Sequence, residues 1–278
     1  MAFKFANSQM DWCGLMTSKV AIIALSGGMD STALLMRLLA DGYDVHAISY
    51  NYGQKHVIEV QRALSNLNYL SQNGFHVNHR VIDLTSAMDT FHSALTDESI
   101  EIPEGHYEEL QMKQTVVPNR NAIFASILYG CALSIAIKES RNVEIALGVH
   151  SGDHAIYPDC RPEFYRALEH AFEVGNWESE NVAFKLPYID GDKETILRDA
   201  EKAISQLGLD FDTIFSNTIT SYNPDMQGRS SGTSGSDVER ILAFHAIGRD
   251  DPVQYVKPWS AVLRNALTTD KKHKEMNT

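Results

Sequence analysis

The sequence predicts an α/β fold in which a parallel sheet is covered by helices on both faces. Residues 20–25 and 143–149 are continuous apolar runs, which are typical of strands buried on both faces. Segments with helical periodicity alternate with such strands, as they do when crossover helices join parallel strands. A glycine-rich loop directly follows the first strand, and a helix follows that loop.

The elements can be placed in order from their apolar periodicity. We predict strands at residues 20–25, 44–49, 76–84 and 143–149, and helices at residues 30–41, 57–73, 120–138, 161–174, 193–206 and 237–247. Residues 95–115 are polar and acidic, so we expect a loop or lid there.

The chain divides into three predicted parts: an N-terminal extension at residues 1–18, a main domain at 19–207 and a small C-terminal segment at 208–278. Residues 216–236 of that segment are rich in Ser, Thr, Gly and Asn, which is typical of a flexible connection. The last dozen residues are rich in Lys, Asp and Asn, and predict a frayed tail.

Composition excludes several classes of protein. The 278 residues carry a formal charge of -12, which disfavours binding of nucleic acid through its phosphates. Cys13, Cys131 and Cys160 are too few and too scattered for a disulfide framework, so we expect a reducing, cytoplasmic location. We find no run of signal-peptide length and no stretch long enough to span a bilayer, and expect no membrane partner.

The sequence SGGMDST at residues 26–32 has the features of an anion-binding loop. Its two glycines allow the backbone to approach a ligand closely, and the following helix start offers unpaired N–H groups and a positive dipole. The loop lacks the lysine of a Walker-type loop. A tight turn in which Asp30 or Ser31 caps the helix is the alternative structural interpretation.

Four further segments accompany this loop. They are YGQKH at residues 52–56 with Glu59 one turn later, VPNRN at 117–121, GVH at 148–150 with Asp153, and YPDCRPEF at 157–164. The loop itself resembles the pyrophosphate loop of the N-type ATP pyrophosphatases. Together, the five segments resemble the 7-cyano-7-deazaguanine synthase (QueC) family, from about residue 19 to residue 248.

This resemblance implies a Rossmann-like fold of the adenine nucleotide alpha hydrolase type, and an ATP-dependent carbon–nitrogen ligase. ATP and Mg²⁺ would activate the carboxylate of 7-carboxy-7-deazaguanine as an acyl-adenylate. Ammonia would capture it as an amide, and a second activation would dehydrate the amide to the nitrile, with release of AMP and pyrophosphate. The resemblance also implies a homodimer.

Site residues follow from the matching segments. The resemblance assigns ATP and pyrophosphate to the loop residues Leu25, Ser26, Gly27, Gly28, Met29, Asp30, Ser31 and Thr32. The expected catalytic residues are Asp30, Arg120, Asp159 and Arg161. The expected substrate contacts are Tyr52, His56, Asn121, Asp153, Tyr157, Asp159, Arg161 and Phe164.

Some of these residues also allow a purely structural interpretation. Arg161 and Glu163 would serve equally well as capping and pairing residues on a surface helix. His150 and His154 flank Asp153 on a loop that follows a strand, and we expect no metal there. Acyl-adenylate chemistry needs no thiol, so we expect Cys160 to be structural.

The C-terminal segment departs from the pattern of the family. The resemblance implies a zinc site of four cysteines, but those positions here are Ser221, Ser231, Ser234 and Asp237. Hydroxyls and one carboxylate do not make a structural zinc site, so we expect no zinc and suppose that hydrogen bonds or partner contacts order the segment. We also expect Asp237 to pair with Arg240. Asn119 stands where the family usually has glycine, and asparagine tolerates a left-handed backbone.

The departure leaves the acceptor of the acyl group open. The first hypothesis is a ligase that uses ammonia. The second is an enzyme of an antiphage or modification system that transfers the activated deazaguanine to a protein or another amine. The third is a nucleotide-binding module without activity.

Overall fold

A five-stranded parallel sheet forms the centre of the computed structural model, which describes residues 19–55, 58–97 and 99–276. The strands are β1 (Val20–Ala24), β2 (Asp44–Asn51), β3 (Asn78–Asp83), β4 (Val143–Ala146) and β5 (Val182–Lys185). Their order in the sheet is β3-β2-β1-β4-β5, and every neighbouring pair is parallel. The predicted fold class is therefore confirmed. The predicted extension at residues 1–18 lies outside the described residues.

Helices join the strands and also follow the last of them. They are α1 (Met29–Ala40), α2 (Ile58–Gln72), α3 (Thr85–Met88), α4 (Arg120–Glu139), α5 (Pro162–Gly175), α6 (Lys193–Leu207), α7 (Phe211–Ser216), α8 (Gly235–Ala246) and α9 (Trp259–Met276). Where a helix was predicted, its bounds agree to within about two residues, which is the usual spread for helix ends.

The sheet separates two hydrophobic cores. On one face, Leu34 and Leu38 of α1 pack with Ile196 of α6 and with side chains of α2, α7 and α8. On the other face, Leu128 of α4 packs with Tyr165 of α5 and with β1 and β4. Burial on both faces explains why the central strands β1 and β4 read as continuous apolar runs.

Strand order determines where a ligand can bind. The chain goes from β1 to β2 and β3 on one side, and then returns to β4 and β5 on the other. The crossover helices that leave β1 and β4 therefore diverge, and a crevice opens at the carboxyl ends of these two strands. Crossover helices that follow parallel strands also begin at this edge, so their N-termini face the crevice.

Helix α4 corrects the expectation that no stretch could span a bilayer. Judged by length and composition alone, this helix of 20 residues could cross a bilayer. One side of the helix is nevertheless part of the second core, through Leu128, Tyr129, Ala132 and Ala136. A core helix of a globular domain passes the same test of length and composition, so this helix is weak evidence for a membrane.

One strand, β5, and three helices, α3, α7 and α9, were missed by the sequence analysis. Strand β5 is only four residues long, and α7 is only six, so neither has a recognisable period. The predicted frayed tail is wrong, because α9 continues to Met276. Val262 and Ala266 of α9 are buried against α8, while most of its lysines are exposed.

Residues 216–236 were predicted to be flexible, but a buried carboxylate organises the end of this segment. Oδ2 of Asp237 accepts hydrogen bonds from the hydroxyls of Ser221 (2.8 Å), Ser231 (2.7 Å) and Ser234 (2.9 Å). The backbone N–H of Gly232 donates to the same oxygen, at 3.0 Å. The four positions for which the resemblance implies zinc ligands thus meet around one oxygen atom, which we call the Asp237 hub.

This hub does not fit a zinc ion. Its donors are three hydroxyl oxygens and one carboxylate, whereas structural zinc sites use thiolate or imidazole. Burial raises the pKa of Asp237 against the opposing effect of its hydrogen bonds. The hydroxyl groups are already used as donors to the carboxylate, so we assign no metal to these four residues.

The expected pair between Asp237 and Arg240 is wrong. Arg240 instead forms a bidentate ion pair with Asp251, with Nε–Oδ2 at 2.6 Å and Nη2–Oδ1 at 2.9 Å. Its Nη1 also donates to the hydroxyls of Thr218 and Thr220. Asp251 lies after α8, too far along the chain for a rule about spacing within one helix to identify it. Its two oxygens face the guanidinium in the bidentate arrangement that arginine prefers.

Replacement of Asp237 by Ala tests the hub. The change leaves three hydroxyl groups and one backbone N–H in a buried position without their acceptor, so we expect the free energy of unfolding to fall by about 3 kcal/mol. Urea denaturation measures this loss.

The matched control is Asp225→Ala. Asp225 accepts two backbone N–H groups in the same segment but is partly exposed, so the loss should be much smaller. If Asp237→Ala does not fold, Asp237→Asn provides the test, because it keeps one carbonyl acceptor. Its free energy of unfolding should lie between that of the wild type and the value expected for Asp237→Ala. Equal stability of the Asp237→Ala and Asp225→Ala proteins would contradict the role of the hub.

Candidate active site

A cavity lies at the carboxyl ends of β1, β2 and β4, as the strand order predicts. Its walls come from the loop after β1, the starts of α2, α4 and α6, the 3-10 turn at residues 151–155, and residues 219–222 before α8. Leu95, Ile102 and Tyr107 also line it, so the predicted lid region does contact the cavity.

The loop after β1 presents unpaired N–H groups to this cavity. Gly28 is the N-cap of α1 and has no side chain to cap the helix, so its first turn is open to an anion. Oγ of Ser26 lies 3.0 Å from Oγ of Ser31 and accepts a hydrogen bond from N–H of Gly28 at 3.2 Å. The two hydroxyls are therefore held beside the open helix end. The alternative in which Asp30 or Ser31 caps the helix is not what the structure contains.

Gly27 allows the loop to lie directly against α2. Its φ is 84°, and a Cβ added to it would lie 2.1 Å from the backbone oxygen of Glu59. Its own carbonyl accepts a hydrogen bond from N–H of Ile219, at 3.0 Å. Any larger residue would push the loop away from α2, because backbone atoms cannot yield as a flexible side chain can.

Asp30 lies in the first turn of α1, and its two carboxylate oxygens have different surroundings. Oδ2 is 3.2 Å from Nζ of Lys193 and 4.0 Å from Nε2 of His150. Oδ1 has no hydrogen-bond partner in the structure. Burial raises the pKa of Asp30, but Lys193 and His150 together outweigh burial, so its pKa lies below the usual value. The carboxylate therefore stays charged, with one oxygen available.

Lys193 is a buried ammonium group that the sequence analysis missed. Its Nζ lies 3.2 Å from Oδ2 of Asp30 and 3.2 Å from Oε2 of Glu239. Burial lowers the pKa of Lys193, but the two carboxylates raise it by more than burial lowers it, so the group stays protonated. Lys193 is the first residue of α6, where the helix dipole disfavours a cation. That unfavourable placement is the signal that could have identified it.

Arg120 begins α4 in a similar way. The preceding residue, Asn119, has a φ of 59°, which confirms that asparagine takes the left-handed conformation expected at this position. Nε of Arg120 donates to Oδ1 of Asn121 at 3.2 Å, and its Cζ lies 6.0 Å from the centre of the Tyr52 ring. Both contacts are with neutral groups, and the guanidinium also acts on the nearby Glu59 carboxyl group by lowering its pKa.

Glu59 is an acid in the first turn of α2 that also borders the cavity. Burial raises its pKa to about 7, although Arg120 and a hydrogen bond with Gln54 act in the opposite direction. A carboxyl group with such a pKa can accept and release a proton near neutral pH. The sequence analysis recorded Glu59 as part of a motif but gave it no role.

Aromatic rings and Asp153 form the remaining wall. Tyr52, Phe124, Tyr157 and Tyr222 line the cavity and offer flat apolar surfaces. Asp153 accepts a hydrogen bond from the hydroxyl of Tyr107, at 2.7 Å. The lid is thus joined to the residue that we expect to read a polar edge of the substrate.

The structure brings together most of the predicted site residues. Those that line the cavity are Leu25, Ser26, Gly28, Met29, Asp30, Ser31, Tyr52, Arg120, Asn121, Asp153 and Tyr157. Gly27 packs against the backbone of α2, and Thr32 is buried in α1, where its N–H donates to the carbonyl of Gly28. His56 lies outside the described residues.

Three predicted residues lie outside the wall of the cavity. Nε of Arg161 donates to the carbonyl of His154, and Phe164 packs edge-on against Tyr165. Asp159 is not part of the wall either. The turn at residues 158–160 and the helix after it direct Tyr157, Cys160 and Tyr165 to the cavity instead.

His150 and the buried cysteine of this region are explained by structural roles. Nδ1 of His150 accepts a hydrogen bond from N–H of Gly152, which caps the turn at residues 151–155. Burial raises the pKa of the Cys160 thiol, so it is not an activated nucleophile. This agrees with the structural role expected for Cys160.

Comparison with known proteins identifies the family. Residues 20–248 match the model of the queuosine biosynthesis protein QueC. The 7-cyano-7-deazaguanine synthase 2 of Colwellia psychrerythraea is 42% identical over 85% of this chain and 99% of its own length. The chain belongs to the QueC family. The corresponding synthase of Marinobacter nauticus is also 42% identical, over 86% of this chain and 98% of its own length.

The family assignment confirms that the chain is an enzyme and supports its use of ATP. It therefore removes the hypothesis of a module without activity. These relatives are named as synthases of a small molecule, so the hypothesis of acyl transfer to a protein gains no support from them. A 4-thiouridine synthetase bound to RNA and ATP has a TM-score of 0.41 and 16% identity over 90% of this chain and 54% of its own, which is too weak to transfer any property.

Replacement of Gly27 by Ala tests the close approach of the loop to α2. The added methyl would collide with the backbone of Glu59, so we expect ATP to bind more than about tenfold more weakly, equivalent to about 1.4 kcal/mol. Calorimetric titration with ATP measures this.

Gly42→Ala is the matched control. Gly42 has a similar φ of 78° but nothing within 4 Å of an added Cβ, so it should lose about 1 kcal/mol of stability and keep its affinity for ATP. Equal ATP affinity in the two variants would show that the loop does not depend on this contact.

Proposed function

We propose that this enzyme uses ATP and ammonia to convert 7-carboxy-7-deazaguanine into 7-cyano-7-deazaguanine, with release of AMP and pyrophosphate. One observation carries the proposal: Arg120 and Lys193 both begin helices at the cavity into which the open N-terminus of α1 points. Such a cavity suits a triphosphate and a carboxylate together. Membership of the QueC family supports the choice of substrate.

The first step is adenylation. A carboxylate oxygen of the substrate attacks the α-phosphorus of ATP, the bond to the bridging oxygen breaks, and pyrophosphate leaves with the electron pair. The acyl group is then joined to AMP, which is a good leaving group. The enzyme supplies position and compensates for charge, because the carboxylate is itself the nucleophile.

The α1 end of the cavity suits the departing pyrophosphate. The N–H groups of the first turn and the hydroxyls of Ser26 and Ser31 can donate to its oxygens. Lys193 brings a positive charge to the same place. Asp30 is suited to hold Mg²⁺ through Oδ1, because this oxygen has no partner and the carboxylate is charged. A bound magnesium ion would neutralise part of the phosphate charge.

The α4 end of the cavity suits the deazapurine. Arg120 can pair with the carboxylate and hold it near the α-phosphorus. The aromatic side chains of Tyr52 and Tyr157 can cover the flat ring. Asp153 can accept the N–H donors of the guanine-like edge once Tyr107 gives up its hydrogen bond to this carboxylate.

Glu59 is suited to prepare the amine. Ammonium has no lone pair, so it must transfer a proton before it can attack the acyl carbon. Glu59 can accept this proton, because its pKa of about 7 leaves a large fraction ionised at neutral pH. Ammonia then forms the new C–N bond, AMP leaves with the electron pair of the C–O bond, and the nitrogen loses one more proton to solvent to give the neutral amide.

The nitrile requires a second activation at the same site. The amide oxygen attacks the α-phosphorus of a second ATP, and pyrophosphate leaves again. Loss of AMP from carbon, together with loss of the remaining N–H protons, gives the nitrile. We place this reaction in the cytoplasm, as the sequence analysis predicts. The homodimer also stays a prediction.

Incubation with ATP, Mg²⁺, ammonium and 7-carboxy-7-deazaguanine tests the function. We expect AMP, pyrophosphate and a lighter product with the mass of the nitrile, detected by liquid chromatography and mass spectrometry. Asp30→Asn should abolish the release of AMP because the available carboxylate oxygen loses its charge. Asp41→Asn is the matched control at the other end of α1 and should remain active. Absence of substrate-dependent AMP would reject the proposed function.

Replacement of Glu59 by Gln tests its role as a base. The rate of amide formation should fall by about 10²–10⁴-fold with ammonium. In the wild type this rate should also fall as the pH drops below about 7, because the raised pKa leaves Glu59 protonated there. This fall in rate below about pH 7 should be absent in the variant. Stopped assays of amide formation at a series of pH values measure the rate.

Hydroxylamine provides the control for Glu59→Gln. It carries a free lone pair at neutral pH and captures acyl-adenylates as hydroxamates without prior loss of a proton. The variant should therefore form hydroxamate at nearly the rate of the wild type. A loss of both products would mean that Glu59 serves adenylation and not the amine, whereas the proposed overall reaction would still stand.

A further inference from the structure

Two histidines that are far apart in sequence meet outside the active-site cavity. His106 belongs to the lid loop, which we define as residues 99–109, and His273 lies in the last turn of α9. Their rings stack with centres 3.8 Å apart and planes within 9° of each other. Both side chains are mostly buried, with 14% and 15% of their surface exposed.

Carboxylates surround this pair. Nε2 of His273 lies 3.2 Å from Oε2 of Glu108, and Nε2 of His106 lies 3.8 Å from Oδ1 of Asp270. One ligand atom from each of His106, Glu108 and His273 lies within 4.8 Å of the other two. The two imidazoles and the Glu108 carboxylate therefore lie close enough to share one ion, outside the wall of the cavity. Asp270 lies beside His106, and its other oxygen, Oδ2, pairs with Nζ of Lys274 at 2.8 Å.

These donors are a familiar ligand set for a divalent transition metal. Imidazole nitrogen suits zinc, nickel, copper and cobalt, while magnesium and calcium prefer sites made of oxygen alone. A tetrahedral shell with bonds of about 2.0–2.1 Å requires ligand atoms roughly 3.3–3.5 Å apart. The donors must therefore draw together by about 1 Å, and the stacked rings must fan apart so that their lone pairs converge. Glu108 is half exposed and lies on a loop, which permits this adjustment.

We propose that His106, Glu108 and His273, with Asp270 as a fourth ligand, form a binding site for a divalent transition-metal ion that fastens the lid loop to α9. The site is separate from the Asp237 hub, which has neither imidazole nor thiolate. Two of its four residues, Asp270 and His273, lie beyond residue 248, where the match to the QueC family ends.

The position of the site gives it a consequence for the cavity. Tyr107 stands between His106 and Glu108 in sequence, but its side chain points to the opposite side and lines the cavity, where its hydroxyl donates to Asp153. An ion held by the two flanking residues would fix the backbone on both sides of Tyr107. The lid would then be tied to α9 at the same residues that place Tyr107 over the substrate.

Metal titration of the full-length protein tests the site. After treatment with a chelator, the protein is titrated with Zn²⁺ by calorimetry and with Co²⁺ by visible absorption, which reports tetrahedral nitrogen and oxygen ligands. We expect one saturable equivalent. His273→Ala and His106→Ala should each weaken binding by more than about 100-fold, since loss of even an outer-shell partner costs about 10–100-fold.

His170→Ala is the matched control. His170 lies 3.5 Å from Glu173 in an exposed pair on α5, and its replacement should not change the binding constant. If a histidine variant does not fold, Glu108→Gln gives the same test at a half-exposed side chain. Hydrogen exchange at residues 104–109 should slow when Zn²⁺ is added to the wild type, and should not change in the variants. No saturable binding, or binding that survives the His106→Ala and His273→Ala double replacement, would overturn the proposal.

Discussion

The site depends on a constraint of parallel topology: crossover helices begin at the carboxyl edge of the sheet. Three of them, α1, α2 and α4, begin beside one cavity, together with α6, which follows the last strand. Their N-termini create a positive potential there, which is the condition for holding a polyanion. Lys193 and Arg120 strengthen this positive potential, and their mutual repulsion destabilises the protein while no anion is bound. Asp30 and Glu239 offset part of this destabilisation by pairing with Lys193.

The same arrangement explains why the carboxyl groups of the cavity differ in charge. Asp30 faces Lys193 directly and stays ionised, whereas burial dominates at Glu59 and raises its pKa to about 7. One carboxylate is therefore suited to a metal ion and the other to a proton. Both belong to first turns of helices, so their environments and not their positions in the helix set the difference.

The sequence was sufficient for the fold and the loop because both depend on local patterns. The apolar run of β1, the two glycines and the helix of α1 stand in direct succession, so their arrangement in space follows from their order. The residues it missed depend on contacts between distant segments. Lys193 matters because it meets Asp30, and Tyr107 because the lid folds back onto Asp153.

The segment YPDCRPEF shows that a motif can identify a family without specifying which of its side chains face the cavity. The motif identified the family, but its turn and helix point alternate side chains in different directions. Tyr157 and Cys160 face the cavity, while Arg161 and Phe164 face other parts of the protein. Side-chain direction follows from dihedral angles at the turn, which spacing alone does not specify.

The Asp237 hub has a consequence for the conditions under which the fold can assemble. A cluster of cysteine thiolates needs a supply of zinc and is lost when peroxide oxidises its sulfurs. Hydroxyls around a carboxylate have neither weakness, since oxygen ligands of this kind carry no oxidisable thiol and require no ion. The hydrogen bonds that hold these four positions around Asp237 therefore require neither a metal ion nor a reduced thiol.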